Sequence, residues 1–89
     1  MHAVVVRVTI KDREAATRGL RDDVVPAASQ APGFVAGYWT RKEGSDQGLS
    51  MAVFESEDAA SAAAERVRSM APDAVNVDDV EVREVVASA

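Results

Sequence analysis

Every aromatic side chain in this 89-residue sequence falls between Pro32 and Phe54. The four are Phe34, Tyr38, Trp39 and Phe54, and they mark out a strand, a polar turn and a second strand. Phe34 to Arg41 (FVAGYWTR) and Leu49 to Glu55 (LSMAVFE) are the strands. Lys42 to Gly48 between them is polar and holds two glycines, as a hairpin loop should. Pro32-Gly33 breaks whatever precedes it and turns the chain into the hairpin. An antiparallel pair at the centre of so short a chain leaves few folds open.

The flanks narrow the choice further. Ala3 to Ile10 is short and β-branched, with Val4, Val6, Val8 and Ile10 on one face and Ala3, Val5, Arg7 and Thr9 on the other. One face is wholly apolar and the other mixed, which suits a strand covered by helices on one side. Lys11 to Gln30 predicts a helix, capped by Asp12, with Glu14 in its first turn and Ala16, Leu20, Val24 and Ala27 on one face. Gly19 weakens it, and Pro26 predicts a kink near Val24–Pro26. After the hairpin, Ser56 caps a second helix with Glu57 and Asp58 in its first turn. Its buried stripe is Ala60, Ala63, Ala64, Val67 and Met70, small enough for close approach to a sheet, and Pro72-Asp73 ends it. Val75, Val77, Val80 and Val82 then alternate with polar residues in a last strand centred on Val80 to Val86.

The order β-α-β-β-α-β predicts an α+β, ferredoxin-like fold: four antiparallel strands with two helices on one face, in one domain over residues 1–89. A core this small supplies only about 3–5 kcal/mol unaided. With no cysteine and one histidine, disulfides and a zinc site are poor sources of help. The uncovered sheet face carries several apolar side chains, so pairing of two sheets across a two-fold axis is expected to supply the rest. Ten basic against fifteen acidic residues, a formal charge of −5, argue against nucleic acid as partner. No stretch reaches the ~20 apolar residues of a membrane span, and no leader precedes the first strand, so a soluble cytoplasmic protein is expected.

PGFVAGYWTR, the glycine-bearing loop, LSMAVFESEDAA and the closing VEVREVV resemble the dimeric α/β-barrel superfamily that includes the antibiotic-biosynthesis monooxygenases. The resemblance runs from about Ala3 to Val86 and is most specific in the Pro-Gly-aromatic strand and the acidic-Ser-acidic helix start. It is strongest to small bacterial members without a known reaction. It implies a homodimer whose facing sheets form a barrel-like cavity. Some members are cofactor-independent oxygenases of aromatic compounds, others degrade heme, and others have no known chemistry. Fold alone therefore does not select an activity.

The candidate ligand-binding residues are Tyr38, Trp39, Met51 and Arg7, and Tyr38, Trp39 and Arg7 are also the candidates for catalysis. Consecutive strand residues point to opposite faces, so Tyr38 and Trp39 cannot share a cavity wall. Trp39 reads either as an anchor of the dimer interface or as pocket lining. Tyr38 reads as packing, or as a hydrogen-bond donor to a quinone-like substrate. Met51 is a pliable wall or simple core. Arg7 on the mixed face needs a partner, for which Glu84, Glu81 and Glu55 are candidates, unless it orients an anionic ligand. Arg41, at a strand end, reads as solvated.

Of the residues the oxygenase relatives use, the resemblance supplies a Trp and a Tyr but no Asn on the first strand; the single Asn is Asn76. The heme degraders' axial His has no counterpart on the second helix, and His2, the sole histidine, reads as a frayed terminal residue. No metal and no cofactor are expected, and no nucleophile–base pair can be assembled. Three readings follow: a dimer enclosing an apolar pocket for a small organic ligand, such as a small aromatic one; a cofactor-independent monooxygenase of a phenol or quinol; and a non-catalytic dimeric interaction module.

Overall fold

The computed structural model describes residues 1–69 and 73–89. Four antiparallel strands, β1 (His2–Ile10), β2 (Phe34–Arg41), β3 (Gln47–Phe54) and β4 (Val75–Glu84), form one sheet in the order β2-β3-β1-β4. Two helical runs, one after β1 and one after β3, cover a single face, giving the expected ferredoxin-like fold. No helix among the described residues is long and apolar enough to cross a membrane.

The helix after β3, α3 (Glu57–Ser69), starts as its sequence dictates. Ser56 Oγ accepts the Ala59 N–H at 3.2 Å, and Glu57 and Asp58 lie in the positively polarised first turn. Its buried residues are Ala60, Ala63 and Ala64. Their small side chains let the helix settle close over Val4 and Val6 of β1 and Phe54 of β3, which form the core with them. Phe54 is the largest fully buried side chain, 1% exposed, and Phe34 meets it edge to face with centroids 5.8 Å apart. Burial of one such ring is worth about 1.5–3 kcal/mol, a large share of what a core of alanines and valines can provide. Val67 is half-buried beside this core; Met70 and Pro72, assigned above to the stripe and the helix end, lie outside the described residues.

The run after β1 is built in three pieces: α1 (Arg13–Gly19), a π-helical turn (Leu20–Val24) and α2 (Val25–Ser29). Asp12 caps α1, its carboxylate accepting the Ala15 N–H at 3.1 Å. The predicted kink takes the form of the π turn, in which the Val25 N–H reaches back to the Leu20 carbonyl. Pro26 has no N–H to return to the preceding turn, and its ring crowds the carbonyl there; the wider turn relieves both. No residue of this run is fully buried.

Two bulges decide which side chains face the helices. In β4, Arg7 opposes Asp79 but Val8 opposes Val77, so Asp78 is an extra residue. Its carboxylate accepts hydrogen bonds from Thr9 Oγ1 at 2.7 Å and Asn76 Nδ2 at 2.8 Å. The change of parity lets Val77, Val80 and Val82 all pack on the helix side. In β2, Phe34 opposes Phe54 and Ala36 opposes Val53, which makes Val35 the extra residue and puts Phe34 on the same face as Gly37 and Trp39. His2 is not frayed as the sequence suggested. It begins β1 opposite Phe54 and Glu84, and its Nε2 lies 3.4 Å from the Glu57 carboxylate.

Gly33 enters β2 with φ +79°, and a Cβ there would lie 3.0 Å from the Ala59 Cβ of α3. Gly33→Ala should therefore destabilise the fold by about 1–2 kcal/mol from the backbone alone, lowering Tm by roughly 4–8 °C for each kcal/mol in a domain of this size. A thermal melt followed by circular dichroism checks this; an unchanged Tm would show that the turn relaxes without strain.

Candidate functional site

The face of the sheet without helices is laid out by the register. One cross-strand row runs Tyr38, Met51, Val5, Glu81; the next runs Thr40, Leu49, Arg7, Asp79; a third runs Ala36, Val53, Ala3, Arg83. The β2–β3–β1 part of this surface is largely apolar and the β4 part is charged. Leu49, Met51 and Tyr38 are 47%, 44% and 70% exposed, although Leu49 and Met51 are residues that strands usually bury. Ala3 and Val5 are buried here without any helix above them, because they sit in the central strand between longer flanking side chains. Three of the four candidate ligand residues, Tyr38, Met51 and Arg7, thus share one face.

Trp39 does not join them. It turns to the helix side, where its ring lies over Gly37; a Cβ on Gly37 would come within 2.6 Å of it. A glycine two residues before the tryptophan gives the ring a flat bed on the strand, and the ring covers backbone the glycine leaves bare. Trp39 remains half-buried. The Tyr38 hydroxyl makes no hydrogen bond among the described residues.

Arg7 stands opposite Asp79; of the carboxylates expected from the sequence, Glu81 is one row away on the same face and feels the charge of Arg7, while Glu84 and Glu55 lie farther along. Glu84 pairs with His2, Glu81 with Val5, and Glu55 lies past the end of β3. The register places these, and side-chain type could not show it. Arg7 has no ion pair within 4 Å among the described residues. Glu81 instead accepts from Arg83 Nε at 2.7 Å, two residues along the same strand face. The Arg83 hydrogen bond and charge, with a smaller contribution from Arg7, hold the Glu81 carboxyl below its usual value. Two cations and two carboxylates therefore balance along this margin: Arg7, Asp79, Glu81 and Arg83.

Among the described residues, two grooves open on the surface that Tyr38, Trp39, Met51 and Arg7 do not line. One, of about 560 Å³, follows the β4 bulge between Lys11, Arg68, Asp73 and Asp78. The other, of about 490 Å³, lies between α1 and the end of β2 and gathers Arg13, Arg18, Arg21 and Arg41. The second grouping escaped the sequence reading, which took Arg41 as a solvated strand end. The available signal was the helical spacing of positions 13, 17 and 21, flanked by Arg18.

No family model matches the chain, and no match to a curated protein was found. Among solved structures, HapK from Hahella chejuensis superposes with a TM-score of 0.74 at 13% identity, over 100% of this chain and 96% of that one. The heme-degrader MhuD from Mycobacterium tuberculosis, with two hemes bound in its active site, superposes with a TM-score of 0.54 at 22% identity, over 97% and 98%. The likeness at these identities is one of fold, the ferredoxin-like arrangement of four antiparallel strands and two helical runs described above.

The arrangement at Glu81 gives a pH test with a defined sign. A carboxyl held low by Arg83 keeps that contact at all pH above its usual value and loses it only as pH falls through the lowered one. In Arg83→Gln the Glu81 side chain should titrate at higher pH than in the parent, read from its side-chain carboxyl shift by NMR. An unmoved midpoint would mean that Arg83 does not hold it.

Proposed function

We propose that this chain acts as a homodimer through the open sheet face and binds a small, largely apolar ligand between the two sheets. The observation that carries the reading is the group Tyr38, Met51 and Leu49, an exposed apolar surface on the one sheet face that no described helix covers. A two-fold partner brings the same surface to the other side, so each copy covers the other's leucine and methionine. The charged margin suits self-association. The chain repels itself overall at −5, but Arg7, Asp79, Glu81 and Arg83 are balanced and can pair across a two-fold axis.

Within such a dimer Tyr38, Met51 and Arg7 would face the enclosed space. Tyr38 and Arg7 stand on strands separated by β3, about 10 Å apart at two strand spacings, enough for a ring to lie between a hydroxyl donor and a guanidinium. Met51 between them can adapt to the ligand's outline.

A second reading, oxygenation of a phenol or quinol that supplies its own electrons, is favoured by one observation, the unengaged Tyr38 hydroxyl. It could donate to the substrate oxygen while the site excludes water. In that reaction the substrate gives up two hydrogens, one atom of dioxygen enters it and the other leaves as water. Heme, which MhuD holds, does not fit the donors here. Helix α3 contains no histidine, and His2 is engaged with Glu57 at the other end of the sheet's helix face.

Sedimentation equilibrium decides the first half of the proposal. The parent chain should sediment at twice its 9.4 kDa mass, and Met51→Lys, which buries a charge in the proposed interface, should return it to 9.4 kDa with an unchanged circular dichroism spectrum. A parent that stays monomeric at millimolar concentration would contradict the dimer. For the second half, oxygen uptake with a panel of hydroquinones should fall in Tyr38→Phe if the oxygenase reading holds.

A further inference from the structure

We propose that the groove between α1 and the end of β2 is a binding site for a small organic polyanion carrying at least two carboxylate or phosphate groups. It does not depend on the dimer or on the ligand of the open face. The groove is lined by Arg13, Glu14, Thr17, Arg18, Arg21 and Arg41, four arginines against one carboxylate. These are half of the eight arginines in a chain whose formal charge is −5. Without a ligand, Arg18 and Arg21, three residues apart on the helical run, repel each other.

The four arginines are held differently, and the difference suggests the division of labour. Arg13 is tied down: its Nη2 donates to the Ser45 carbonyl at 2.9 Å and its Nε lies 3.5 Å from Asp46. This links the start of α1 to the β2–β3 hairpin and sets one wall of the groove. Arg21 is partly satisfied by its neighbour Asp22 at 3.4 Å. Arg18 and Arg41 have no ion pair among the described residues and are exposed. They come from opposite walls, one from the helix and one from the strand, so one anion with two charged groups can engage both. Guanidinium forks suit carboxylate and phosphate oxygens in bidentate pairs. Thr17, on the helical flank between Arg13 and Arg21, adds a hydroxyl.

Local backbone supports an adaptable site. Arg21 lies in the π turn, a geometry frequent at functional sites. No residue from Arg13 to Ser29 is fully buried, so the helical run can shift on the sheet when a ligand binds. The volume of about 490 Å³ is that of a site for a small molecule.

The test is an NMR titration of 15N-labelled protein with citrate and, separately, with pyrophosphate, the ionic strength held constant with sodium chloride. Saturable amide shifts confined to residues 13–21 and 41 are expected, with an affinity that falls as salt rises. Arg18→Gln should weaken binding about tenfold, the loss of one charge-assisted pair. Arg18→Gln combined with Arg41→Gln should abolish it, and Arg66→Gln on α3 should leave it unchanged. Binding of citrate alone identifies a carboxylate site, and of pyrophosphate alone a phosphate site; either supports the proposal. Shifts no larger than those sodium chloride produces, shifts spread equally over Arg66, Arg68 and Arg83, or equal affinity in the double variant would overturn it.

Discussion

A four-stranded sheet has two faces, and this chain carries helices for only one of them. Everything else in the structure follows from how that imbalance is handled. On the covered side, α3 presents Ala60, Ala63 and Ala64 to Val4, Val6 and Phe54, and close approach replaces bulk as the source of cohesion. On the bare side, Tyr38, Leu49 and Met51 stay exposed, covered by none of the described elements. The structure is covered on one face and open on the other, and the open face is the basis of the proposed association.

The bulges make that division clean. Without the extra Asp78, the alternation of β4 would send either Val77 or the Val80–Val82 pair to the bare face. Without the extra Val35, Phe34 would leave Phe54 and join Tyr38 on that face. Each bulge moves aromatic or branched side chains to the helices and leaves the outer face with Tyr38, Leu49, Met51 and a balanced set of charges. Ordinary strand alternation parts Tyr38 from Trp39 in role: one lies on the face proposed to meet a partner and ligand, the other roofs Gly37 on the helix side.

Much of this could be read from the residues. Pro32-Gly33 and the glycine-bearing loop placed both strands of the hairpin, β2 to the residue, because turn chemistry is local and strongly constrained. Asp12 and Ser56 were legible as caps for the same reason. The parity change from Val75 and Val77 to Val80 and Val82 was visible as well, and it is the imprint of the bulge. What could not be read depends on register between strands distant in sequence. The neighbours of Arg7 are set by which residues of β4 lie across from it, and the register puts Asp79 there. The gathering of Arg13, Arg18, Arg21 and Arg41 likewise joins a helix to a strand end that only the tertiary fold brings together. His2 looked terminal because position in the sequence says nothing of pairing; the ladder to Phe54 and Glu84 reaches it all the same.

The most direct measurement of whether a second copy covers the bare face is an isotope-filtered NOE experiment on a mixture of labelled and unlabelled chains. A face-to-face dimer predicts intermolecular contacts from the Met51 methyl and the Tyr38 ring to Leu49, Met51 or Val53 of the other copy. If no such contacts appear, and a soluble paramagnetic agent relaxes the Met51 methyl as strongly as that of the exposed Met1, the face is open to water. The dimer, and the ligand site built on it, would then be wrong.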